Sequence, residues 1–151
     1  MKPSSESPVI ALRSPAHAAD WLATRTIFSE YAASLAVDLC FQNFDQELAD
    51  LPGEYAEPRG ALLLAWVDGE VAGCCALRPF DASDYANAAE MKRLYVRPAF
   101  RGLGLGRLLT EGILDAARAA AYHCVLLDTL DDMEAARALY EDLGFVEIPP
   151  Y

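Results

Sequence analysis

The sequence predicts an α/β fold with a mixed central sheet flanked by helices, and three observations carry that prediction. Two apolar runs, Ala61–Val67 and Val71–Phe80, flank Asp68-Gly69, a pair suited to a tight hairpin turn. The stretch Met91–Val96 runs through Pro98 and a glycine-rich turn, Arg101–Gly106, into an amphipathic segment, which reads as strand, turn and helix. A second helical pattern, Met133–Leu143, stops at Gly144, a residue suited to the position after a helix. Strands and helices in this order form a layered protein.

The elements follow in order. Met1–Ser7 reads as a short disordered lead, and residues 8–151 as a single domain. Val9–Arg13 is a short apolar strand. Ser14 can cap a helix whose first turn takes Pro15. Ala18, Trp21, Leu22, Ile27, Phe28, Tyr31, Ala32 and Leu35 then keep helical spacing to about Val37. Asp45–Leu51 is a second, short helix that ends at Pro52-Gly53, and Glu54–Gly60 is a polar loop. After the hairpin, Asp81–Asn87 is a loop and Ala88–Val96 a strand. Gly104–Tyr122 is a long helix and Cys124–Leu130 a buried strand. Asp131 and Asp132 can cap Met133–Leu143, and Phe145–Ile148 is a last strand. The order is β-α-α-β-β-β-α-β-α-β.

Composition narrows the function. The chain has 151 residues, 54% apolar and 23% charged, so it is globular rather than disordered. Its net charge of −11 argues against general nucleic-acid binding. The charge is uneven: residues 92–107 hold five bases (Lys92, Arg93, Arg97, Arg101, Arg107) and no acid. A cationic island in an acidic protein suits a polyanionic small ligand. A plain solvated basic face is the alternative, but it leaves the adjacent glycines unexplained. No apolar run reaches the ~20 residues that span a bilayer, and the N-terminus lacks the apolar core of a secretory signal. Neither Cys40, Cys74, Cys75 nor Cys124 shows ligand spacing with another Cys or a His. They read as thiols of a reducing cytoplasm, with no metal expected. His17 and His123 read as structural.

The spacing Arg101-x-x-Gly104-x-Gly106, between a strand and a helix N-terminus, resembles the pyrophosphate loop of the Gcn5-related N-acetyltransferases (GNAT family). Ala138-Leu139-Tyr140-Glu141-Asp142-Leu143-Gly144-Phe145 resembles that family's closing helix-to-strand segment. The element order also matches through the sixth strand. A dinucleotide-binding fingerprint is similar in spacing, but it opens a β-α-β-α-β domain, and here a hairpin precedes it.

The resemblance implies acetyl-CoA as co-substrate and an acetyl group moved directly to an amine. Arg101, Gly102, Leu103, Gly104, Leu105, Gly106 and Arg107 would cradle the diphosphate through backbone N–H groups and the helix dipole. Arg101 bonds the diphosphate or braces the loop. Leu94, Tyr95 and Val96 would lie along the pantetheine arm, on a strand that splays from its neighbour. The N–H near Leu94 would polarise the thioester carbonyl and hold the oxyanion. Glu90 stands eleven residues before Arg101, the separation shown by family members with a glutamate base; its alternatives are a surface carboxylate or one that attracts a cationic substrate. Tyr140 matches the tyrosine that faces the coenzyme sulfur and donates to the leaving thiolate; its alternative is a core tyrosine. Many relatives carry an asparagine seven residues before that tyrosine, where this chain has Met133.

The acceptor is less legible. Asp38, Asp45, Asp81, Asp84 and Glu90, with Phe41, Phe44, Tyr55 and Tyr85, fall in or near segments that line the acceptor groove in such folds. Carboxylates with aromatics favour a cationic amine; a merely acidic surface is the plain alternative, and a small amine or polyamine, an amino acid, a peptide N-terminus and a lysine side chain are all open as acceptors. A non-catalytic acyl-CoA-binding sensor or scaffold is the rival function. Relatives usually add one more strand after the segment matching Gly144-Phe145, and this chain ends at Tyr151, without the usual final strand. The expectation is a homodimer covering the open edge, or an open acceptor site.

Overall fold

A computed structural model describes residues 8–35, 44–81, 84–128 and 134–149. Among them run β1 (Ile10–Arg13), α1 (Ala18–Ser34), α2 (Phe44–Asp50), a 3-10 turn (Gly53–Tyr55), β2 (Ala61–Val67) and β3 (Glu70–Pro79). There follow β4 (Ala88–Val96), a second 3-10 turn (Pro98–Phe100), α3 (Leu105–Ala119), β5 (Cys124–Leu126) and α4 (Glu134–Asp142). The five strands form one sheet in the order β1-β2-β3-β4-β5. Only the β4–β5 pair is parallel. The mixed α/β sheet expected from the sequence is therefore present.

The hairpin closes as its turn residues require. Asp68 and Gly69 both take positive φ, 50° and 86°, which matches the twist of the flanking strands. The Asp68 carboxylate also accepts the Val9 N–H at 2.9 Å, holding the start of β1 to the turn.

Helices cover both faces of the sheet. On one face, Leu105, Leu109, Ile113 and Ala117 of α3 bury their periodic stripe against Ala65, Cys75, Leu77, Ala89 and Met91. Leu109 and Ile113 are fully buried, and each such side chain contributes roughly 1.5–3 kcal/mol. A Cβ at Gly112 would come within 2.8 Å of Leu63 Cδ1, so a larger residue there would require that side chain to shift. On the other face, Ile27 and Phe28 of α1 pack with Phe44, Tyr55, Leu62, Leu64 and Cys74.

The first helix starts later than Ser14-Pro15 suggests. It begins at Ala18, with His17 as the capping residue. The reason is Asp20, whose carboxylate accepts the N–H groups of Ala16 (3.0 Å) and His17 (3.3 Å) and pairs with Arg13 (3.0 Å). The Ala16 hydrogen bond, opposed by burial and aided by His17 and Arg13, holds the carboxyl below its ordinary value of 3.8. A carboxylate depressed on folding stabilises the fold above its unfolded pKa, and that stabilisation is lost as pH falls through the lower folded value. Asp20→Ala is expected to lower Tm by about 2–5 °C at pH 7, and the difference shrinks below about pH 4. Thermal melts across that range check it; a difference constant with pH contradicts it.

Two C-terminal expectations are corrected. β5 stops at Leu126, and Leu127 and Asp128 lie outside the strand; Thr129 and Leu130 are not among the described residues. Phe145–Ile148 forms no strand. Helix α4 ends as predicted at Gly144 (φ 95°), where the Gly144 and Phe145 N–H groups return to the carbonyls of Glu141 and Tyr140. The segment beyond then faces a cleft shared with β5. A strand exists only by pairing, and β5 offers just three residues. Among the described strands, β5 has a partner on its β4 side alone.

Candidate active site

The glycine-rich turn has the geometry of an anion cradle. Pro98 starts the 3-10 turn that leaves β4. Gly102 and Gly104 then take positive φ, 92° and 76°, which a side chain disfavours. Gly104 caps α3 in the left-handed region. The Leu108 N–H is bonded to the Gly104 carbonyl at 3.1 Å, so the amides of Leu105, Gly106 and Arg107 precede the helical ladder. Cβ atoms built on Gly102 and Gly104 would meet no protein atom within 4 Å. Open amides beneath open space fit a diphosphate group. The Leu105 side chain itself is 2% exposed and belongs to the core, so this residue offers the cradle its backbone alone.

The cationic island proves largely neutralised. Arg93 is buried, with both ends of its fork on Glu47 at 2.7 and 3.0 Å. Arg97 grips Glu30 at 2.6 and 2.8 Å, and Arg107 pairs with Asp142 of α4. Arg101 braces the turn by donating Nε–H to the Val96 carbonyl at 3.0 Å. Burial, with Arg93 beside it, holds the Lys92 ammonium below its ordinary pKa. Sequence spacing put five bases together, whereas folding brings acids from α1, α2 and α4 to three of them. An anion at this turn would meet backbone amides more than unpaired side-chain charge.

Strand β4 is bent and released just where the coenzyme arm is expected. Across β3, Ala76 faces Lys92 and Cys74 faces Tyr95, so β4 carries one extra residue. Arg93 supplies it in a left-handed conformation (φ 63°), at a cost of roughly 1–2 kcal/mol. Its pair with Glu47 and its stacking on Phe44 (5.4 Å) offset that cost. On the other side, β4 pairs with β5 only over Ala88, Ala89 and Glu90. Met91–Val96 therefore runs on without β5, including Leu94, Tyr95 and Val96. Leu94 and Val96 pack on the α3 side, and Tyr95 meets Tyr31 edge-on at 6.1 Å.

The released strand begins at a cleft of about 660 Å³ beside β5. Its lining includes Glu90, Tyr140, Cys124, Asp128, Tyr85 and Phe145. Glu90, 7% exposed, receives Arg78 from the facing position on β3: Nε and Nη2 reach the same Oε1 at 2.8 and 2.6 Å. Tyr140, 8% exposed, packs edge-on against Phe145 at 5.6 Å. Among the described residues no hydrogen bond engages its hydroxyl. Burial, with smaller contributions from Cys75 and Tyr31, pushes the phenol well above its ordinary pKa. It therefore stays protonated at neutral pH as a donor. The fold thus brings Glu90 and Tyr140, fifty residues apart in sequence, to one cavity.

The proposed acceptor set is mostly dispersed. Phe44 and Tyr55 are core residues. Asp81 is bound by Arg59 at 2.7 Å, and Asp45 is exposed on α2. Of the described members of that set, Glu90 and Tyr85 alone line the cleft; Asp38 and Phe41, like Met133, lie outside the described residues. Sequence reasoning missed Arg78, which the β3–β4 register places opposite Glu90; the long loop between these strands leaves that register unset in the sequence. It also missed Asp128, Glu141 and Glu147 on the cleft wall. Among the described residues no helix is long and apolar enough to cross a membrane, and no group of His, Cys, Asp and Glu could hold a metal ion.

Comparison with known proteins gives the family and the fold. The model of the acetyltransferase (GNAT) family matches residues 21–145. An uncharacterised N-acetyltransferase of Schizosaccharomyces pombe is 40% identical over 152 residues, covering all of this chain and 89% of the relative. The uncharacterised N-acetyltransferase YjgM of Escherichia coli is 32% identical over 124 residues, 82% of this chain and 72% of the relative. Among solved structures, the aminoglycoside N-acetyltransferase AAC(6')-Iy in complex with CoA superposes with a TM-score of 0.76 at 16% identity, over 97% of this chain and 94% of that one. An acetyltransferase from Streptococcus agalactiae gives 0.73 at 24% identity, over 92% and 84%.

Proposed function

The chain belongs to the acetyltransferase (GNAT) family, and from that premise we propose that it transfers the acetyl group of acetyl-CoA directly to a cationic primary amine. One observation carries the reading. Met91–Val96, free of β5, joins a buried carboxylate in a cleft to a turn with three open amides. Acetyl-CoA supplies an acyl thioester, already activated for attack by an amine.

The residues divide the work. The amides of Leu105, Gly106 and Arg107 hold the diphosphate, and Arg101 keeps the turn in shape. The backbone of Leu94, Tyr95 and Val96 lies along the coenzyme arm, and the Leu94 N–H polarises the thioester carbonyl. Glu90 takes the ammonium proton, which frees the nitrogen lone pair for attack, and the second proton that the nitrogen loses on forming the amide replaces the one Tyr140 gives the thiolate. Tyr140 donates to the sulfur as the thiolate leaves. Among the described residues the cleft wall carries Glu90, Asp128, Glu141 and Glu147 against one base, Arg137; Glu147 pairs with that base and Glu90 with Arg78, which leaves Asp128 and Glu141 as the acidic surplus. That balance favours a cationic acceptor over a carboxylate-bearing one.

A thermal-shift screen followed by a turnover assay tests the reading. Acetyl-CoA at a hundredfold excess over its Kd should raise Tm by about 5–10 °C, whereas NADH should not. Adding polyamines or aminoglycosides should release one thiol per acetyl group transferred. Binding without thiol release from any amine would favour a non-catalytic acyl-CoA-binding module.

A further inference from the structure

Glu90 is a buried carboxylate on a flexible side chain, and a base must be held to act. We propose that Arg78 is its positioning residue, an inference that rests on reading Glu90 as the base. Arg78 lies directly opposite Glu90 across the β3–β4 pair, the register at which facing side chains meet. Two of its N–H groups converge on one carboxylate oxygen, Oε1, at 2.8 and 2.6 Å. The guanidinium is itself restrained. Its Nη1 reaches both oxygens of Glu54 at 3.3 and 3.4 Å, and its plane lies over the Phe80 ring at 4.8 Å. Phe80 and Glu90 both face the cleft. Three elements, the Gly53–Tyr55 turn, β3 and β4, thus converge through Arg78 on one atom of the proposed base.

This differs from a pair that merely stabilises the sheet. A buried ion pair is weak evidence for stability, because its desolvation cost offsets its attraction. What the pair supplies here is orientation and charge. It places a fixed positive charge beside the carboxylate and holds Oε1 with two N–H groups, which restrains the side chain at the cleft. A lysine keeps the charge but lacks the planar fork that makes two bonds at once.

The test compares Arg78→Met, Arg78→Lys, Glu90→Gln and the Arg78→Met/Glu90→Gln double variant. The readouts are thiol release with the best amine from a panel of polyamines, aminoglycosides and α-amino acids, and acetyl-CoA affinity by calorimetry. Arg78→Met should lower kcat about tenfold, the size of a lost hydrogen bond to a charged group, with acetyl-CoA affinity unchanged. Arg78→Lys should fall between it and wild type. Because Arg78 acts through Glu90, adding Arg78→Met to Glu90→Gln should cost no more than about twofold. Losses that multiply in the double variant, or wild-type kcat in both Arg78 variants, would overturn the assignment. Should Arg78→Met fail to fold, Arg78→Lys alone and in the Glu90→Gln background carries the same comparison. Wild-type kcat in Glu90→Gln, or no turnover on the whole panel, would instead overturn the base reading itself.

Discussion

Gly104→Val should abolish measurable acetyl-CoA binding, a loss of at least about a hundredfold, with the domain still folded. Gly104 caps α3 at φ 76°, a conformation that a β-branched residue strongly disfavours. No protein atom lies within 4 Å of a Cβ placed there, so the branch would project into the space assigned to the diphosphate. The helix itself is anchored below by Leu105 and Leu109, both in the core. Gly106→Ala is a graded control, since its Cβ would make only an ordinary 3.6 Å contact with Leu139. Calorimetry with acetyl-CoA and circular dichroism separate binding from folding. Unchanged affinity in a folded Gly104→Val protein would remove the cradle from the account.

Glu90→Gln and Tyr140→Phe should act on turnover rather than on coenzyme binding. Losing a general base typically costs about 10²–10⁴ in rate, and Glu90→Gln removes it at nearly constant shape. Tyr140→Phe keeps the ring contact with Phe145 and deletes a hydroxyl that no described residue bonds. It should therefore cost little stability and about tenfold or more in kcat, as expected for a lost hydrogen bond to a developing charge. Steady-state rates and acetyl-CoA affinity for both variants check this. If kcat stays at the wild-type value in both, Glu90 is a structural partner of Arg78 and Tyr140 a core residue.

Local chemistry made most of the fold legible. Asp68-Gly69 allows essentially one hairpin, and Gly104 and Gly144 mark helix ends because their φ values demand it. Val9–Arg13 and Ala88–Val96 were readable from apolar patterning, to within a residue. What escaped depends on distant partners. The bases at 93, 97 and 107 look free in sequence because Glu47, Glu30 and Asp142 lie far along the chain. Phe145–Ile148 has the composition of a strand, but a strand forms only by pairing, and these residues line the cleft instead of pairing with three-residue β5. For the site, Glu90 and Tyr140 were named from motif spacing, yet their common cleft is a product of β5 and α4 meeting in space. Phe44 and Tyr55 were misread because an aromatic near a groove and an aromatic beneath it have the same local sequence.

The central claim is direct acetyl transfer from a coenzyme held at the head of α3. A single-turnover reaction tests it most directly, with enzyme in excess over isotopically labelled acetyl-CoA and mass spectrometry of protein, coenzyme and amine. The account predicts that the thioester survives without amine. With a polyamine or aminoglycoside, the label should appear on the amine with one equivalent of free thiol and none on the protein. Label on Cys124, the cysteine that lines the cleft, before amine is added would contradict direct transfer, and a thioester that survives every amine would contradict catalysis.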